Sequence, residues 1–292
     1  MTDSRRIRKA VIPAAGLGTR MLPFTKAVPK EMLPLVNTPV IQYVVAEAAA
    51  SEIETVILVV NGANAVIQKH FRPDADLVRR LEEQGKTELA NLLCKLTHMV
   101  ELRYVCQPEA LGLGHAVACA AGAIGDEAFA VLLPDNIFDG DVPCLAQLMA
   151  CRKEFPGCVI AGREIQPAVS SRFGVLITEP TPGKEGILKV TGLVEKPSQP
   201  VSNGRHGIYG RYLLEPDILD ILQELKITTN REVQLTDALS VFRHRGGAVH
   251  MVRFQGEHYD VGNTLEYLKA VIAFGLKDPK IGNPLRAYMK TL

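Results

Sequence analysis

The chain has 292 residues, of which 47% are hydrophobic and 22% charged, and its 33 Lys and Arg nearly balance its 32 Asp and Glu. This balance disfavours a nucleic-acid-binding protein, which normally carries a basic excess on one face, and no apolar run approaches the roughly 18 to 20 residues that span a membrane. We therefore expect a cytoplasmic protein that binds neither nucleic acid nor membrane, while an anionic ligand in a local pocket stays open.

The first half of the sequence alternates short apolar runs with helical patterns. The run TVILVV over 55–60 is rich in β-branched residues and predicts a strand buried on both faces. One further strand is predicted to begin at 10–12, and two more cover 100–105 and 129–133. The predicted helices cover 40–50, 63–71, 74–93 and 112–123. This alternation favours a largely parallel sheet with helices on both faces.

Three polar features follow predicted strands of this half, namely the segment 16–20, Gln107 and Asp135. They lie far apart in the sequence, but ligands of parallel sheets bind beyond the carboxyl ends of the strands. We therefore expect the three features to meet at one edge of the sheet.

The second half is less regular. Its predicted strands cover 159–163, 173–178, 188–194, 207–213 and 249–254, and its predicted helices cover 216–225, 234–245 and 264–276. No linker is long enough to separate independent domains. We expect one domain over 1–292, with a first half at about 8–140, a second half at about 141–276 that closes over the same cleft, and a tail over 277–292 that is a candidate oligomer contact.

The segment from Gly16 to Arg20 carries the strongest local signal. Glycines after a strand let the backbone approach a ligand, and successive amides there bind phosphate oxygens. Arg20 adds a cation suited to a triphosphate. An ordinary tight turn is the alternative for the glycines. A dinucleotide fingerprint is disfavoured because position 21 is Met21 instead of a third glycine, and the P-loop pattern is absent.

A proline-rich loop follows, with Lys26, Lys30 and Glu31. Its prolines exclude a continuous helix, and a stiff loop bearing lysines near Arg20 gathers positive charge at one edge of the cleft. The alternatives are solvated lysines and a Glu31 that serves only as the ion-pair partner of Lys30.

Two aspartates are candidate metal ligands. Asp135 directly follows a predicted strand, where a carboxylate can hold Mg²⁺ together with phosphate oxygens; a turn or helix-capping aspartate is the alternative. Asp260 is either a second ligand or the cap of the helix predicted from about Thr264. Between them in sequence, Glu195 and Lys196 offer an acceptor for sugar hydroxyls and a cation for a phosphate, although a surface turn would also use them.

Other catalytic chemistries find little support. No Ser or Cys lies in a nucleophile-elbow context, and none of the seven histidines receives a role. The six cysteines form no C-x-x-C pair, which excludes a zinc site of that type. We expect Cys106 and Cys119 to be small buried hydrophobic residues.

Taken together, several segments resemble the bacterial UTP–glucose-1-phosphate uridylyltransferases, within the sugar-phosphate nucleotidyltransferase family. The resemblance covers nearly the whole chain and is most specific in its first two segments. The matching segments are KAVIPAAGLGTRMLPFTKAVPKEMLPLVNTPVIQYVV at 9–45, QPEALGLGHAV at 107–117, LLPDNIFD at 132–139, FGV at 173–175, VTGLVEKP at 190–197, GRYLL at 210–214, EVQLTDAL at 232–239 and YDVGN at 259–263.

The resemblance implies a Rossmann-like three-layer α/β fold with a mixed, mainly parallel central sheet and a smaller sugar-binding lobe, assembled as a homodimer or homotetramer. It implies the following site residues: the backbone of Ala15 and Gly16, the side chain of Gln107 and the backbone near Gly112 for uracil; Arg20 and Lys30 for the triphosphate; Glu31 as a further nucleotide-binding position; Asp135 and Asp260 for Mg²⁺; Gly174 and Glu195 for glucose; and Lys196 for the sugar phosphate.

The implied reaction is an in-line attack of glucose 1-phosphate on the α-phosphorus of UTP, with Mg²⁺, giving UDP-glucose and pyrophosphate without a covalent intermediate. The attacking phosphate is already an anion, so the reaction needs cations more than it needs a base. Two alternatives stay open: a non-catalytic paralogue that binds nucleotide sugars, and the same chemistry with another nucleotide or sugar phosphate. Arg205, His206 and the segment 229–231 depart from the pattern of close relatives on the sugar side.

Overall fold

The computed structural model describes residues 6–62, 65–228 and 232–292. The strands are β1 Lys9–Ala14, β2 Pro34–Leu35, β3 Thr38–Pro39, β4 Thr55–Val60, β5 Glu101–Cys106, β6 Phe129–Leu132, β7 Asn136–Asp139, β8 Cys158–Glu164, β9 Gly174–Pro180, β10 Ile187–Glu195, β11 Gly204–Leu214, β12 Val249–Arg253 and β13 Glu257–Asp260. The helices are α1 Val40–Ala50, α2 Ala65–Phe71, α3 Ala75–Glu83, α4 Thr87–Thr97, α5 Leu113–Cys119, α6 Ala121–Ile124, α7 Cys144–Glu154, α8 Asp217–Thr228, α9 Leu235–His244, α10 Thr264–Lys277 and α11 Gly282–Met289. The first two residues of the helix predicted over 63–71 lie outside the described residues.

Nine strands form one mixed sheet in the order β5-β4-β1-β6-β11-β8-β12-β10-β9. The strands of the first half pair in parallel, with β1 between β4 and β6. The predicted parallel sheet is therefore confirmed for this half. The second half adds mostly antiparallel pairs, since β11 runs opposite to both β6 and β8 and β10 runs opposite to both β9 and β12. The sheet is mixed as expected, but parallel pairing predominates only in the first half.

Helices cover both faces of this sheet. Neighbouring residues of β1 point to opposite faces, so that Val11 and Ile12 belong to two different hydrophobic clusters. The cluster with Ile12 includes apolar residues of α1 and α7, and the cluster with Val11 includes apolar residues of α5, α8 and α9. This arrangement is the expected three-layer α/β fold.

Two predicted helices are broken in the structure. The single helix expected over 74–93 is two helices, α3 and α4, because Gly85 adopts a φ of +71°. There Gly85 donates a hydrogen bond to Glu82 and Lys86 donates one to Leu81, which is the Schellman arrangement that ends a helix. The helix expected over 112–123 is interrupted at Ala120, between α5 and α6.

The sequence patterns missed α7 and α11. The buried face of α7 consists of Cys144, Leu145, Leu148 and Cys151, a spacing typical of an amphipathic helix. Helix α11 lies inside the segment 277–292 that was expected to be a tail.

The cysteine expectation was wrong for Cys106, which is exposed, and Cys119 is only partly buried. Strand β5 is the edge strand of the sheet, and this explains the exposure of Cys106 at its end. The buried cysteines are Cys144, Cys151 and Cys158. Within the described ranges no helix is both long and apolar enough to cross a membrane.

Candidate active site

A cavity of about 1110 Å³ opens at the carboxyl ends of β1, β5 and β6. Its lining includes every residue that the sequence predicted for the site except Glu31, namely Ala15, Gly16, Arg20, Lys30, Gln107, Gly112, Asp135, Gly174, Glu195, Lys196 and Asp260. The strand order reverses here, because β4 and β5 extend from one side of β1 while β6 lies on the other. A crevice at such a switch point is the usual ligand site of an open α/β sheet.

The loop after β1 brings Arg20 into the cavity. Gly18 has a φ of +62°, its carbonyl accepts a hydrogen bond from the Thr25 hydroxyl at 2.9 Å, and a short 3₁₀ turn over Thr19–Met21 follows. The Arg20 guanidinium is 3.9 Å from Asp135 Oδ2 and 3.8 Å from Asp260 Oδ2, and its side chain is 61% exposed. Arg20 is therefore a cation held beside two carboxylates yet open to a ligand.

Lys30 and Asp135 form the shortest and least exposed of the described ion pairs in the cavity lining. The Lys30 Nζ atom is 2.5 Å from Asp135 Oδ2, and the two side chains are only 17% and 14% exposed. Burial by itself lowers the pKa of Lys30, but the charge of Asp135 and the hydrogen bond to it outweigh burial and raise that pKa. Burial also opposes ionisation of Asp135, but Lys30 and Arg20 hold the pKa of Asp135 below its usual range. Both groups are charged at neutral pH. Lys26, from the same loop, is exposed and does not line the cavity.

The second carboxylate, Asp260, is placed by pairing of β13 with β7, in which Asp260 lies opposite Asn136. A methyl group placed on Gly262 would lie 2.9 Å from Asp135 Oδ2, 2.9 Å from Arg20 Nη2 and 3.2 Å from Asp260 Oδ1, so both carboxylates and the guanidinium face the same point. Burial, reinforced by the charge of Asp135, raises the pKa of Asp260. Asp260 does not cap α10, because the Asn263 side chain accepts the hydrogen bonds from the first turn of that helix.

A buried arginine stabilises the turn that contains Asp135. Arg211, on β11, is fully buried and forms a bidentate ion pair with Glu47 of α1. Its guanidinium also donates to the carbonyl oxygens of Leu133 and Asn136, at 3.0 and 2.7 Å. These carbonyls lie on either side of Asp135, so Arg211 fixes the backbone of the turn.

Glu31 is the one predicted nucleotide-binding residue that does not line the cavity. Its side chain is buried behind the cavity wall, both carboxylate oxygens are buried without a hydrogen-bond partner, and Lys30 pairs with Asp135 instead. Burial raises the pKa of Glu31 to about 7. Direct contact between Glu31 and a nucleotide in the cavity finds no support in this geometry.

One side of the cavity is formed by Gln107 after β5 and Gly112 before α5. Gly112 has a φ of +99°, and a side chain there would also meet the Val233 carbonyl oxygen at 2.7 Å, so only glycine fits. Val233 and Gly114 reinforce this loop, since Gly114 donates to the Val233 carbonyl and Val233 donates to the Leu111 carbonyl.

The opposite wall comes from β9 and β10. Gly174 lies directly opposite Glu195 across these strands, and Glu195 Oε2 accepts a hydrogen bond from the Thr236 hydroxyl at 2.6 Å. Lys196 has a φ of +36°, and its Nζ lies 3.4 Å from Glu195 Oε1. Its side chain is 61% exposed and hence free to meet a ligand.

The sequence patterns missed several polar lining residues, among them Arg163, Arg172, Tyr209, Thr236 and His258. His258 Nε2 lies 2.7 Å from Asn136 Oδ1, and burial lowers its pKa to about 3, so the ring is neutral. No local pattern marks His258, because it reaches the site through the pairing of β13 with β7.

The residues that depart from the pattern of close relatives do not line the cavity where they are described. His206 is buried against Thr178, and Arg205 is exposed. Residues 229–231 lie outside the described residues.

Residues 9–274 match the nucleotidyl transferase family. The chain is 40% identical over 288 residues to a UTP–glucose-1-phosphate uridylyltransferase of Staphylococcus epidermidis, with 99% of each chain covered. A UTP-bound UGPase of Acinetobacter baumannii superposes with a TM-score of 0.87 at 35% identity, covering 98% of this chain and 100% of that one. A UDP-glucose pyrophosphorylase complexed with UDP-glucose gives a TM-score of 0.83 at 33% identity, with 94% and 100% covered.

Proposed function

Since the chain belongs to the nucleotidyl transferase family, we propose that it transfers UMP from UTP to glucose 1-phosphate, releasing pyrophosphate and forming UDP-glucose. The observation that carries this proposal is the single cavity with a cation–carboxylate cluster on one wall and a Glu–Lys pair on the other. The cluster consists of Arg20, Lys30, Asp135 and Asp260, and the pair is Glu195 and Lys196. A non-catalytic binding protein has no need to retain all of these charges.

The first wall is proposed to bind UTP. The backbone of Ala15 and Gly16, the Gln107 side chain and the backbone near Gly112 hold the uracil. Arg20 and Lys30 contact the triphosphate. Because Lys30 is already fixed and charged, its contribution needs little reorganisation when the nucleotide arrives.

The second wall is proposed to bind glucose 1-phosphate. Glu195 accepts hydrogen bonds from glucose hydroxyls and is oriented by Thr236. Gly174 allows the sugar to approach the strand, and Lys196 neutralises the sugar phosphate. The two walls together place the attacking phosphate oxygen opposite the α-phosphorus.

The proposed chemical step is a single displacement. An anionic oxygen of glucose 1-phosphate forms a bond to the α-phosphorus as the bond from that phosphorus to the β-bridging oxygen breaks, and the electron pair leaves with pyrophosphate. No proton moves to start the reaction, so no general base is required. The residues act by bringing two anions together and by neutralising the charge that develops on the leaving group.

We include Mg²⁺ in this proposal, held by Asp135 and Asp260. The described residues contain no cluster of three or more His, Cys, Asp or Glu that would form a site by themselves. Mg²⁺ commonly uses only one or two carboxylates and completes its shell with phosphate oxygens and water, and the two carboxylates that face one point beside Gly262 suit that donor set. When bound, the ion supplies positive charge that polarises the phosphate oxygens.

We also propose that the chain assembles as a homodimer or homotetramer. Helices α10 and α11, together with the N-cap residue of α11, expose large apolar side chains, namely Leu265, Leu268, Ile272, Ile281, Tyr288 and Met289. Light scattering of the purified protein tests assembly, and a mass of 31.8 kDa, that of one chain, would overturn it. The cytoplasmic location stays a prediction.

The reaction is tested by pyrophosphate release from purified protein with UTP, glucose 1-phosphate and Mg²⁺, repeated with EDTA and with dTTP in place of UTP. We expect EDTA-sensitive release that favours UTP. Release with dTTP alone would keep the chemistry and change the substrate. No release with either nucleotide, from folded protein that binds UDP-glucose, would favour the non-catalytic alternative.

A further inference from the structure

Gln107 has its amide group held on two sides. Its Nε2 atom lies 3.2 Å from the Gly112 carbonyl oxygen and 3.0 Å from Nδ1 of His115. Both residues are buried, with Gln107 5% and His115 3% exposed. Because these side chains are buried, each of their polar groups needs a hydrogen-bond partner of the right type.

The partners determine which way the amide faces. A backbone carbonyl can only accept a hydrogen bond, so the amide atom that faces the Gly112 carbonyl is the nitrogen. The second hydrogen of the same nitrogen then points at His115 Nδ1, which must accept it. A neutral imidazole with an acceptor at Nδ1 carries its hydrogen on Nε2, and this nitrogen lies 3.7 Å from the Cys119 sulfur.

Both amide hydrogens of Gln107 are thereby committed to the protein. The atom left to meet a ligand in the cavity is Oε1, which can only accept. Within the described part of the chain, Oε1 accepts no hydrogen bond. The base that binds beside Gln107 must consequently present a hydrogen-bond donor at that point.

Uracil and thymine carry a hydrogen on ring nitrogen N3, whereas N3 of cytosine is a bare acceptor at neutral pH. We propose that His115 is a positioning residue that selects the base: by accepting the second amide hydrogen, it makes Gln107 offer Oε1 to an N3–H and so rejects CTP. This inference rests on the proposed function in placing the base of a nucleotide beside Gln107.

Helix α5 holds His115 in place for this role. His115 lies in the first turn of the helix, three residues after Gly112, and the Val233 carbonyl ties the neighbouring Gly114 to a different part of the chain. The imidazole cannot follow Gln107 if the amide rotates, because its ring is packed in the interior. The His115 acceptor and the Gly112 carbonyl therefore act as a fixed pair.

The test compares equilibrium binding of UTP, CTP and dTTP, each titrated with Mg²⁺ into the full-length protein and two variants. His115→Leu removes the acceptor and retains a bulky apolar group. His115→Asn retains an acceptor, since an amide oxygen can take the position of Nδ1. dTTP is the internal control because thymine has the same N3–H as uracil.

We expect the wild-type protein to bind UTP about tenfold to a hundredfold more tightly than CTP, the range for one mismatched buried hydrogen bond. The UTP-to-CTP affinity ratio should be about tenfold smaller in His115→Leu than in wild type, and His115→Asn should retain most of the wild-type ratio. The UTP-to-dTTP affinity ratio should be the same in the wild-type protein and both variants. Equal loss of UTP and CTP affinity in His115→Leu would show a merely structural role and overturn the inference.

A second comparison shows whether His115 acts through Gln107. In a Gln107→Ala background, His115→Leu should change the UTP-to-CTP ratio no further. An undiminished effect in that background would contradict the inference. If binding is selective in the way that His115 predicts but no pyrophosphate is released, the proposed reaction is refuted and this inference stands. If pyrophosphate is released but selectivity does not depend on His115, the reaction stands and this inference is refuted.

Discussion

The two walls of the cleft hold their charged side chains in different ways. On the wall proposed to bind the nucleotide, Lys30 and Asp135 come from the loops that follow β1 and β6, are largely buried and lie 2.5 Å apart. On the wall proposed to bind the sugar, formed by β9 and β10, Lys196 is mostly exposed and has a longer 3.4 Å contact with Glu195. The Lys30–Asp135 pair is therefore fixed by folding, whereas Lys196 stays open to a ligand.

The surroundings of each lysine explain this difference. Lys30 lies beside the turn after β6, which the buried Arg211–Glu47 pair supports. On the proposed sugar wall, Lys196 follows the last residue of β10, and its side chain is 61% exposed. Groups that must stay charged when buried need such partners around them, while an exposed lysine does not.

The largest expected effect separates Lys30 from Lys196. Each of Lys30→Met and Lys196→Met should lower kcat/KM by about 10²- to 10³-fold, because each removes a cation from the reacting phosphates. Lys30→Met should also lower the free energy of unfolding by about 3–5 kcal/mol, since Asp135 stays buried without its partner. Lys196→Met should change it by less than about 1 kcal/mol.

Steady-state kinetics and urea unfolding check this pair, with Lys26→Met as the control. Lys26 belongs to the same loop as Lys30, is exposed and lies outside the cavity, so Lys26→Met should match wild type in both measurements. Equal stability of Lys30→Met and Lys196→Met would refute the distinction between the two walls.

Arg211 supplies the next largest effect. Arg211→Met should lower the free energy of unfolding by about 3–5 kcal/mol, because it leaves Glu47 buried and unpaired, and the double variant with Glu47→Met should recover part of that loss. Arg245→Met is the matched control, since Arg245 forms a similarly close pair with Glu224 at the surface and should lose at most about 1 kcal/mol. Chemical unfolding of the four proteins measures this, and similar losses for Arg211→Met and Arg245→Met would show that burial of the pair is irrelevant.

Glu31 makes stability depend on pH. Its folded-state pKa of about 7 is above the ordinary value of 4.5, so its contribution to stability is full below about pH 4.5 and is lost as pH rises through 7. Glu31→Gln removes this titration. Between pH 4.5 and 8, the free energy of unfolding of Glu31→Gln relative to wild type should therefore rise by about 3 kcal/mol, at about 1.4 kcal/mol per pKa unit.

Urea unfolding at several pH values tests this change. Glu88→Gln, on the exposed surface of α4, is the control and should run parallel to wild type. If the Glu31→Gln and wild-type curves also run parallel, the carboxyl group of Glu31 keeps an ordinary pKa and the prediction fails.

The smallest expected effect distinguishes two residues near the junction of β13 and α10, Asp260 and Asn263. Asn263→Ala should lower the free energy of unfolding by about 1 kcal/mol, because Asn263 caps α10, and it should leave kcat close to wild type. Asp260→Asn should spare the cap and lower kcat. The opposite assignment, with loss of stability in Asp260→Asn and loss of activity in Asn263→Ala, would contradict the structure of this loop.

Much of the scaffold follows from local patterns. The apolar run of β4 is buried along its whole length, as its composition predicts, and the polar segments after β1, β5 and β6 converge because parallel strands end at the same edge. The break at Gly85 was missed because apolar residues continue at helical spacing on both sides of it. The local signal was the glycine itself, at the C-terminal end of α3.

The partners within the site were harder to predict. Lys30 and Asp135 are 105 positions apart, and nothing near either residue indicates the other. Arg211 lies in a strand and carries no mark of a fully buried ion pair, and the environment of Glu31 depends on packing of several elements. Long-range pairing decides these contacts, so residue types at strand ends indicate where a site lies but not which charges are fixed.

The central claim is that glucose 1-phosphate attacks the α-phosphorus directly, without a covalent intermediate. The stereochemistry at this phosphorus tests the claim most directly. The substrate is a single diastereomer of UTP with sulfur at the α-phosphorus, and the configuration at this phosphorus is determined in the nucleotide sugar formed with glucose 1-phosphate. A single in-line displacement predicts inversion. Retention would require a second displacement through a covalent intermediate and would contradict the account.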